Sequence, residues 1–130
     1  MSKSEQIQSS RDFTKIVTIS VGQSLSDSIN LNGSNLVGVR IPNNLTGTYI
    51  NFQDSDSLSG SYQTLKTNNT ATPPLTENIR LNVEAGKYPL AVGDFSGIEF
   101  LKIESVDSTN VAVVQTGSDA IISLVLKPGF

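Results

Sequence analysis

The sequence of 130 residues contains no cysteine, no histidine and no tryptophan. Without cysteine the chain has no disulfide, no thiol nucleophile and no thiolate metal ligand, and its composition fits a reducing compartment. Without histidine it lacks the most common general base and the usual ligand of zinc, copper and haem iron. A histidine-dependent catalytic triad is therefore excluded, which leaves a pair of carboxylates or a serine–lysine dyad as enzymatic options.

Positive charge is scarce and dispersed along the chain. Nine Lys and Arg residues stand against twelve Asp and Glu residues, for a net charge of −3, and the basic residues form no run. A nucleic-acid-binding protein concentrates basic residues where they neutralise phosphates, so we expect no nucleic-acid partner. No apolar run approaches the roughly 20 residues of a membrane-spanning helix, and residues 1–15 contain no apolar signal-peptide core. We therefore expect no membrane partner.

The acidic residues offer two pairs that are close in sequence. Asp54 and Asp56 lie in one polar stretch, whereas Glu99 and Glu104 lie five residues apart in a predicted strand and face opposite sides of it. Neither pair is placed like the carboxyl groups of a glycosidase, which flank a bond inside a cleft. We predict no catalytic residue, no cofactor and no enzymatic activity.

The segment that starts with Asp54 and Asp56 also resembles the beginning of a calcium-binding loop. An EF-hand loop starting at Asp54 would need an oxygen ligand at Leu58, glycine at Ser59 and glutamate at Leu65, so the match ends after two ligands. The two aspartates remain candidates for a calcium site completed from elsewhere. The other interpretation is that they form a turn through local side-chain to backbone hydrogen bonds.

Residues typical of strands and turns are abundant, including ten glycines and five prolines, while only 16% of residues are charged. Strong surface-helix formers are sparse. Residues 36–65 show the clearest period-two alternation, which places successive side chains on opposite faces of a sheet. In the first strand of this stretch Val37, Val39 and Ile41 share one face. After a break at Pro42, Ile50 and Phe52 share a face of the second.

Further strands are predicted at residues 15–21, 27–32, 79–83, 88–92, 98–105 and 119–127. The Asn32-Gly33 dipeptide favours a hairpin between residues 27–32 and 36–41. Asp94 is a candidate cap for a corner or helical turn at residues 93–97. About eight or nine short strands, spaced by roughly 8 to 12 residues, indicate a single-domain antiparallel β-sandwich or a barrel.

Two polar segments flank or interrupt this pattern. Residues 1–14 are predicted to be a flexible N-terminal arm before a domain at residues 15–130, and Phe13 is the residue that would anchor the arm on a neighbouring subunit. Residues 66–78 include Lys66, Pro73 and Pro74 and are predicted to be a long surface loop. Such a loop is either an interaction surface or a solvated linker.

Two stretches of the chain resemble a known group of proteins. Residues 19–65 read ISVGQSLSDSINLNGSNLVGVRIPNNLTGTYINFQDSDSLSGSYQTL, and residues 85–102 read AGKYPLAVGDFSGIEFLK, followed by the closing strand IISLVLK. These stretches resemble small structural proteins of tailed-bacteriophage virions, including head decoration (cement) proteins. The positions that match the pattern are Gly22, Ser24, Leu25, Pro42, Phe52, Gly86, Tyr88, Phe95, Phe100 and Leu101. The resemblance implies a jelly-roll-like β-sandwich in a virion component and no active site.

On this basis we expect a non-enzymatic auxiliary capsid protein of a tailed phage, assembled in the host cytoplasm, that bridges and stabilises shell subunits. Its partners would be the major capsid protein or other virion proteins, together with further copies of itself. The candidate contact segments are residues 2–14, 54–60, 66–78 and 106–116. The individual contact candidates are Phe13, Asp54, Asp56, Lys66, Pro73 and Pro74.

Two other functions remain open. A carbohydrate- or receptor-binding module of a tail fibre or neck appendage would use exposed aromatic rings, for which Tyr49, Tyr62 and Tyr88 are the candidates. A carboxylate-dependent hydrolase would need a deep cleft that joins two acidic residues.

Overall fold

A computed structural model describes residues 11–68, 76–82, 84–91, 95 and 97–128 of the chain. The described residues form eleven β-strands, and none of them belongs to a helix long and apolar enough to cross a membrane. The strands are β1 (Phe13–Ile19), β2 (Ile29–Asn30), β3 (Asn35–Ile41), β4 (Tyr49–Ser55), β5 (Gln63–Thr64), β6 (Lys66–Asn68), β7 (Thr76–Asn78), β8 (Arg80–Asn82), β9 (Gly86–Pro89), β10 (Phe100–Val106) and β11 (Ala120–Lys127). The predicted antiparallel β-sandwich is confirmed.

Strands from the first half of the chain pair with strands from the second half, and together they form two sheets. The first sheet has the order β1-β11-β3-β9, and the second has the order β2-β10-β4-β5 with β8 also beside β4. Thus β1 pairs with β11, β2 with β10, β3 with β9 and β4 with β8, all antiparallel. Strands β1 to β4 alternate between the two sheets.

The core lies between the two sheets. Alternate residues of β11 point inward, so that Ile122, Leu124 and Leu126 are fully buried, as the sequence pattern predicts. From the second sheet Phe52 meets Phe95 edge to face, with ring centroids 4.9 Å apart and planes at 76°. Burial of these side chains is the main stabilising contribution to the fold.

The Asn32-Gly33 turn forms as predicted, but the predicted hairpin is wrong. Asn32 and Gly33 have φ of 52° and 78°, and the Ser34 amide donates to the Leu31 carbonyl oxygen at 2.9 Å. The turn connects β2 of the second sheet to β3 of the first. Leu31 and Leu36 on either side of the turn are both buried, because the chain crosses from one layer to the other here.

The predicted common face of Val37, Val39 and Ile41 is wrong at Val37, and the predicted strand 15–21 is two residues too long at its end. Leu36 is fully buried whereas Val37 is only half-buried, and the β3–β11 register shifts between Val125 and Leu126. A bulge of this kind inserts one residue and exchanges the faces beyond it. Val21 is 49% exposed, because β1 ends at Ile19.

The predicted loop at residues 66–78 is a β-hairpin at its base. Strands β6 and β7 pair from Lys66 opposite Asn78 to Asn68 opposite Thr76. The Ile79 amide donates to the Leu65 carbonyl oxygen at 3.0 Å, and this bond joins the hairpin to the sandwich. The polar Thr and Asn side chains gave no alternation by which to find these strands. Pro73 and Pro74, residues 1–10 of the arm and Asp94 lie outside the described residues.

The outer edge of β1 is partly covered. The Thr18 amide donates to Asp27 Oδ1 at 2.7 Å, and the Asp27 amide donates to the Thr18 carbonyl oxygen at 3.2 Å. The Lys15 ammonium group donates to the Asn30 carbonyl oxygen at 3.3 Å. The segment between β1 and β2 therefore occupies hydrogen-bonding groups that another strand would need in order to pair with β1.

Candidate interaction surface

The loops gather at the two ends of the sandwich, since each long strand crosses it from end to end. The turn end consists of residues 32–35, 56–62 and 97–99. The valine end consists of residues 20–24, 42–48 and 107–119 and carries the exposed side chains of Val21, Val111 and Val114.

The turn end presents one apolar side chain on a firmly bonded turn. Leu58 is 61% exposed. The Ser55 hydroxyl donates to the Ser57 carbonyl oxygen at 2.8 Å, and the Tyr62 hydroxyl donates to the Leu58 carbonyl oxygen at 2.9 Å. The Lys102 ammonium group lies 4.4 Å from the centroid of the Tyr62 ring, a cation–π distance. These contacts hold the turn in one conformation, with Leu58 at its tip.

Asp54 and Asp56 flank this turn in different environments. Asp54 belongs to β4 rather than to the predicted loop, because it pairs with Leu101 and continues the inward row of Phe52. Burial at the rim of the core raises the pKa of the Asp54 carboxyl, and the neighbouring Asp56 charge raises it further. Asp56 is exposed and lies between two open depressions of about 290 and 210 Å³.

The depressions bring together residues that are distant in sequence. The larger is lined by Gly33, Ser34, Asn35, Asp56, Gly97, Ile98 and Glu99. The smaller is lined by Asp54, Ser55, Asp56, Ser61 and Gln63. Within the part of the chain that the structure describes, no group of three acidic residues is arranged to hold a metal ion, so the calcium interpretation of Asp54 and Asp56 gains no third carboxylate.

Removal of the Asp54 charge should stabilise the protein at neutral pH. Because the pKa of this carboxyl is raised in the folded state, the ionised form destabilises the fold, and Asp54→Asn should raise the free energy of unfolding by less than about 1 kcal/mol at pH 7, given solvent screening. The wild type regains this stability as the pH falls through the raised pKa. The difference should vanish below the ordinary value of 3.8, which urea unfolding at several pH values would measure.

Asp12→Asn is the matched control, because it removes the same charge at an exposed position in front of β1. We expect no gain from it at any pH. A loss of stability in Asp54→Asn at pH 7 would mean that the Asp54 carboxylate makes a net stabilising contact.

The other predicted contact residues lie at separate places. Phe13 begins β1 opposite Leu126, which also pairs with Leu36, so Phe13 lies near the turn end but in the other sheet. It is 37% exposed. Lys66 is exposed at the base of the β6–β7 hairpin, on the side of the sandwich.

The three tyrosines do not share one surface. The Tyr62 ring is covered on one face by Lys102, as described above. Tyr88 packs against the core, and its hydroxyl donates to the Glu84 carbonyl oxygen at 2.7 Å. Tyr49 is half-buried at the start of β4, where it pairs with Val106. A sugar-stacking platform would need such rings side by side.

The valine end is organised by one buried side chain, Gln115. Its amide nitrogen donates to the carbonyl oxygens of Asn44 at 2.7 Å and Ser118 at 3.0 Å, and its amide oxygen accepts from the Thr46 amide at 2.9 Å. The Gln115 backbone is also bonded to the loop that contains Val21, through the Gly22 amide at 2.8 Å. The sequence predicts the 106–116 segment as a contact. It gives no signal that Gln115 is buried, because a single glutamine in an irregular loop is usually exposed.

The comparisons with known proteins bear on the fold. No model of a known protein family matches the chain, and no curated protein matches it in sequence. The structure is similar to the crystal structure of the SPBc2 prophage-derived protein YomS, with a TM-score of 0.50 and 16% sequence identity. The similarity covers 89% of this chain and 95% of that chain. At this identity it shows that the chain shares the fold of a prophage-derived protein over nearly the whole length of both.

Proposed function

We propose that the chain is a non-enzymatic structural protein of a tailed-phage virion, an auxiliary protein that binds shell subunits and stabilises the shell. The observation that carries this proposal is the likeness in fold to a prophage-derived protein over 89% of the chain. The sequence resemblance to virion structural proteins supports the same role. Both extend over the sandwich as a whole rather than over a small site.

The turn end supplies the contact with the shell in this proposal. Leu58 projects from a turn that is already fixed by its hydrogen bonds, so that little conformational entropy is lost on docking. Asp56 and Glu99 line the neighbouring depression. A shell surface that fits would offer an apolar depression for Leu58 with basic residues at its rim.

The β6–β7 hairpin supplies a second contact, at the side of the sandwich. Lys66, the first residue of β6, is exposed. A rigid body that touches neighbouring shell subunits through two surfaces binds more tightly than either contact alone, because the second contact forms at a high effective concentration. Bridging of subunits in this way is what would stabilise the shell.

Particles assembled without this protein provide the test. Purified full-length chain is added to them and retention is scored by sedimentation, beside Leu58→Asp and a truncation that starts at Arg11 and leaves β1 intact. We expect saturable binding at a fixed number of copies per particle and an affinity at least about tenfold lower for Leu58→Asp. Gln23→Asp, which adds a charge at the opposite end, should bind as the wild type does.

Absence of retention on the particle would overturn the proposal. Saturable binding to glycans or to host cells in its place would favour the carbohydrate- or receptor-binding module. Equal binding by the full-length chain and the truncation would assign no role to residues 1–10.

A further inference from the structure

The outer face of the first sheet combines two exposed isoleucines with positive charge. Ile16 and Ile121 are 56% and 52% exposed. Ile16 pairs with Ser123 and Ile121 with Thr18, so the two isoleucines are diagonal neighbours on adjacent strands. They form a small apolar patch on a face that the described residues leave uncovered.

The charges of this sheet are all of one sign. Its strands β1, β3, β9 and β11 each contain one basic residue and no acidic residue. Arg40 pairs with Ser123 on one side and with Lys87 on the other, so that one row across the outer face runs Ile16, Ser123, Arg40, Lys87. Arg40 is therefore a diagonal neighbour of Ile121, and Lys87 lies one strand beyond Arg40.

The valine end has the opposite charge. Its three segments contain Asp107 and Asp119 and no basic residue. The Asp107 carboxylate accepts hydrogen bonds from the Thr109 hydroxyl and the Val111 amide, at 2.8 and 3.0 Å, which lowers its pKa and keeps it ionised. Asp119 Oδ1 accepts from the Val21 amide at 2.9 Å. Both carboxylates thus lie beside exposed valines.

We propose that the valine end of one copy docks on the outer face of the first sheet of a second copy. The valines would cover Ile16 and Ile121, and Asp107 and Asp119 would lie against Arg40 and Lys87. The strands of the face carry only basic charged residues and the three segments of the valine end carry only acidic ones, which suits the two surfaces to each other. Pairing of β1 edges is a poorer route to self-association, because Asp27 already occupies the Thr18 amide and carbonyl.

This contact joins two different patches, so it is heterologous and can repeat from copy to copy. The valine end faces in the direction in which the strands run, whereas the outer face with Ile16 and Ile121 points away from the plane of the sheet. Successive copies are therefore turned relative to one another, so that repetition of the contact gives a closed ring or a helical filament rather than a straight one. The inference does not rest on the proposed function, because it concerns the isolated protein in solution.

Sedimentation velocity over a range of protein concentrations tests the contact. The face variant carries Ile16→Ser with Ile121→Ser, and the end variant carries Val111→Ser with Val114→Ser. All four side chains are more than half exposed, so neither variant should unfold, which circular dichroism would check. We expect concentration-dependent association of the wild type, weakened at least about tenfold in each variant and weakened by salt.

A mixture of the two variants gives the sharpest result. The face variant retains an intact valine end and the end variant retains an intact face, so together they should form a one-to-one dimer and stop there. Leu58→Ser, at the turn end and 61% exposed, is the matched control and should associate as the wild type does. A wild type that stays monomeric at every concentration, a mixture that does not associate, or a Leu58→Ser variant weakened as strongly as the others would each overturn the proposal.

Discussion

Gly47→Ala should lower the free energy of unfolding by about 3 kcal/mol or more. Gly47 has φ of 98°, a conformation that residues with a side chain rarely adopt. An added Cβ would overlap the Ser105 hydroxyl and lie 3.2 Å from the Val106 carbonyl oxygen. Both the backbone conformation and the packing therefore oppose the substitution. Urea unfolding of the purified variant measures the loss.

Gly117→Ala separates the two costs. Gly117 has φ of 83°, similar to that of Gly47, but an added Cβ would meet no atom within 4 Å. It should therefore lose only the conformational part, about 1–2 kcal/mol. If Gly47→Ala cost no more than Gly117→Ala, the close approach to Ser105 would contribute nothing.

A substitution at Ser105 tests whether its hydroxyl is the group that the new methyl group overlaps. Its hydroxyl is buried and has no hydrogen-bond partner among the described residues, so Ser105→Ala alone should change stability by no more than about 1 kcal/mol. In the double variant the Ser105 Cβ would remain at 3.6 Å from the new methyl group, an ordinary contact. We expect the double-mutant cycle to show a favourable coupling of about 1–2 kcal/mol.

The fold class was predictable because it depends on local alternation. In β11 period two places Ile122, Leu124 and Leu126 on one face, and the polar Ser123 and Lys127 identify the other face as the outer one. The pairing of β1 with β11 and of β3 with β9 was not predictable, because nothing in one strand specifies a partner that is 45 to 113 residues away. The Asn32-Gly33 turn shows the same limit: its backbone conformation is local, but the sheet that receives the next strand is not.

The candidate surfaces were predictable only as segments. The polar stretch around Asp54 and Asp56 marked the turn end, because Asp and Ser favour turns. Exposure of Leu58 and Val114 depends on which loops meet at each end of the sandwich, and in a sequence such residues resemble core residues. Period two places Ile16 and Ile121 on the outer face, opposite Val17 and Ile122, but only the pairing register shows that they are neighbours on adjacent strands.

Gln115→Ala should destabilise the protein by about 2–4 kcal/mol, because it removes a buried side chain together with its hydrogen bonds to three backbone groups. Gln115 is 1% exposed. Its loss would free the carbonyl oxygens of Asn44 and Ser118 and the amide of Thr46, which belong to two different loops of the valine end. Alanine cannot replace any of these bonds, and the cavity left by the side chain adds to the cost.

The matched control is Gln23→Ala in the neighbouring loop. Gln23 is exposed, and it is the Gln23 backbone carbonyl that accepts from the Gln115 backbone amide, at 2.8 Å. Removal of the Gln23 side chain should therefore change the free energy of unfolding by no more than about 0.5 kcal/mol. Hydrogen exchange shows whether the Gln115 side chain links the two loops by its hydrogen bonds or only fills space. Exchange of the Thr46 amide should accelerate in Gln115→Ala beyond what global destabilisation explains.

If Gln115 does hold the valine end together, its loss also bears on self-association. The 42–48 loop and the 107–119 loop, which carries Val111 and Val114, would no longer be fixed relative to each other, and association would then require them to be ordered again. Gln115→Ala should therefore weaken self-association although Gln115 itself is buried and makes no contact with another copy. Association as strong as that of the wild type, in a variant whose Thr46 amide exchanges rapidly, would show that the order of these loops does not matter for docking.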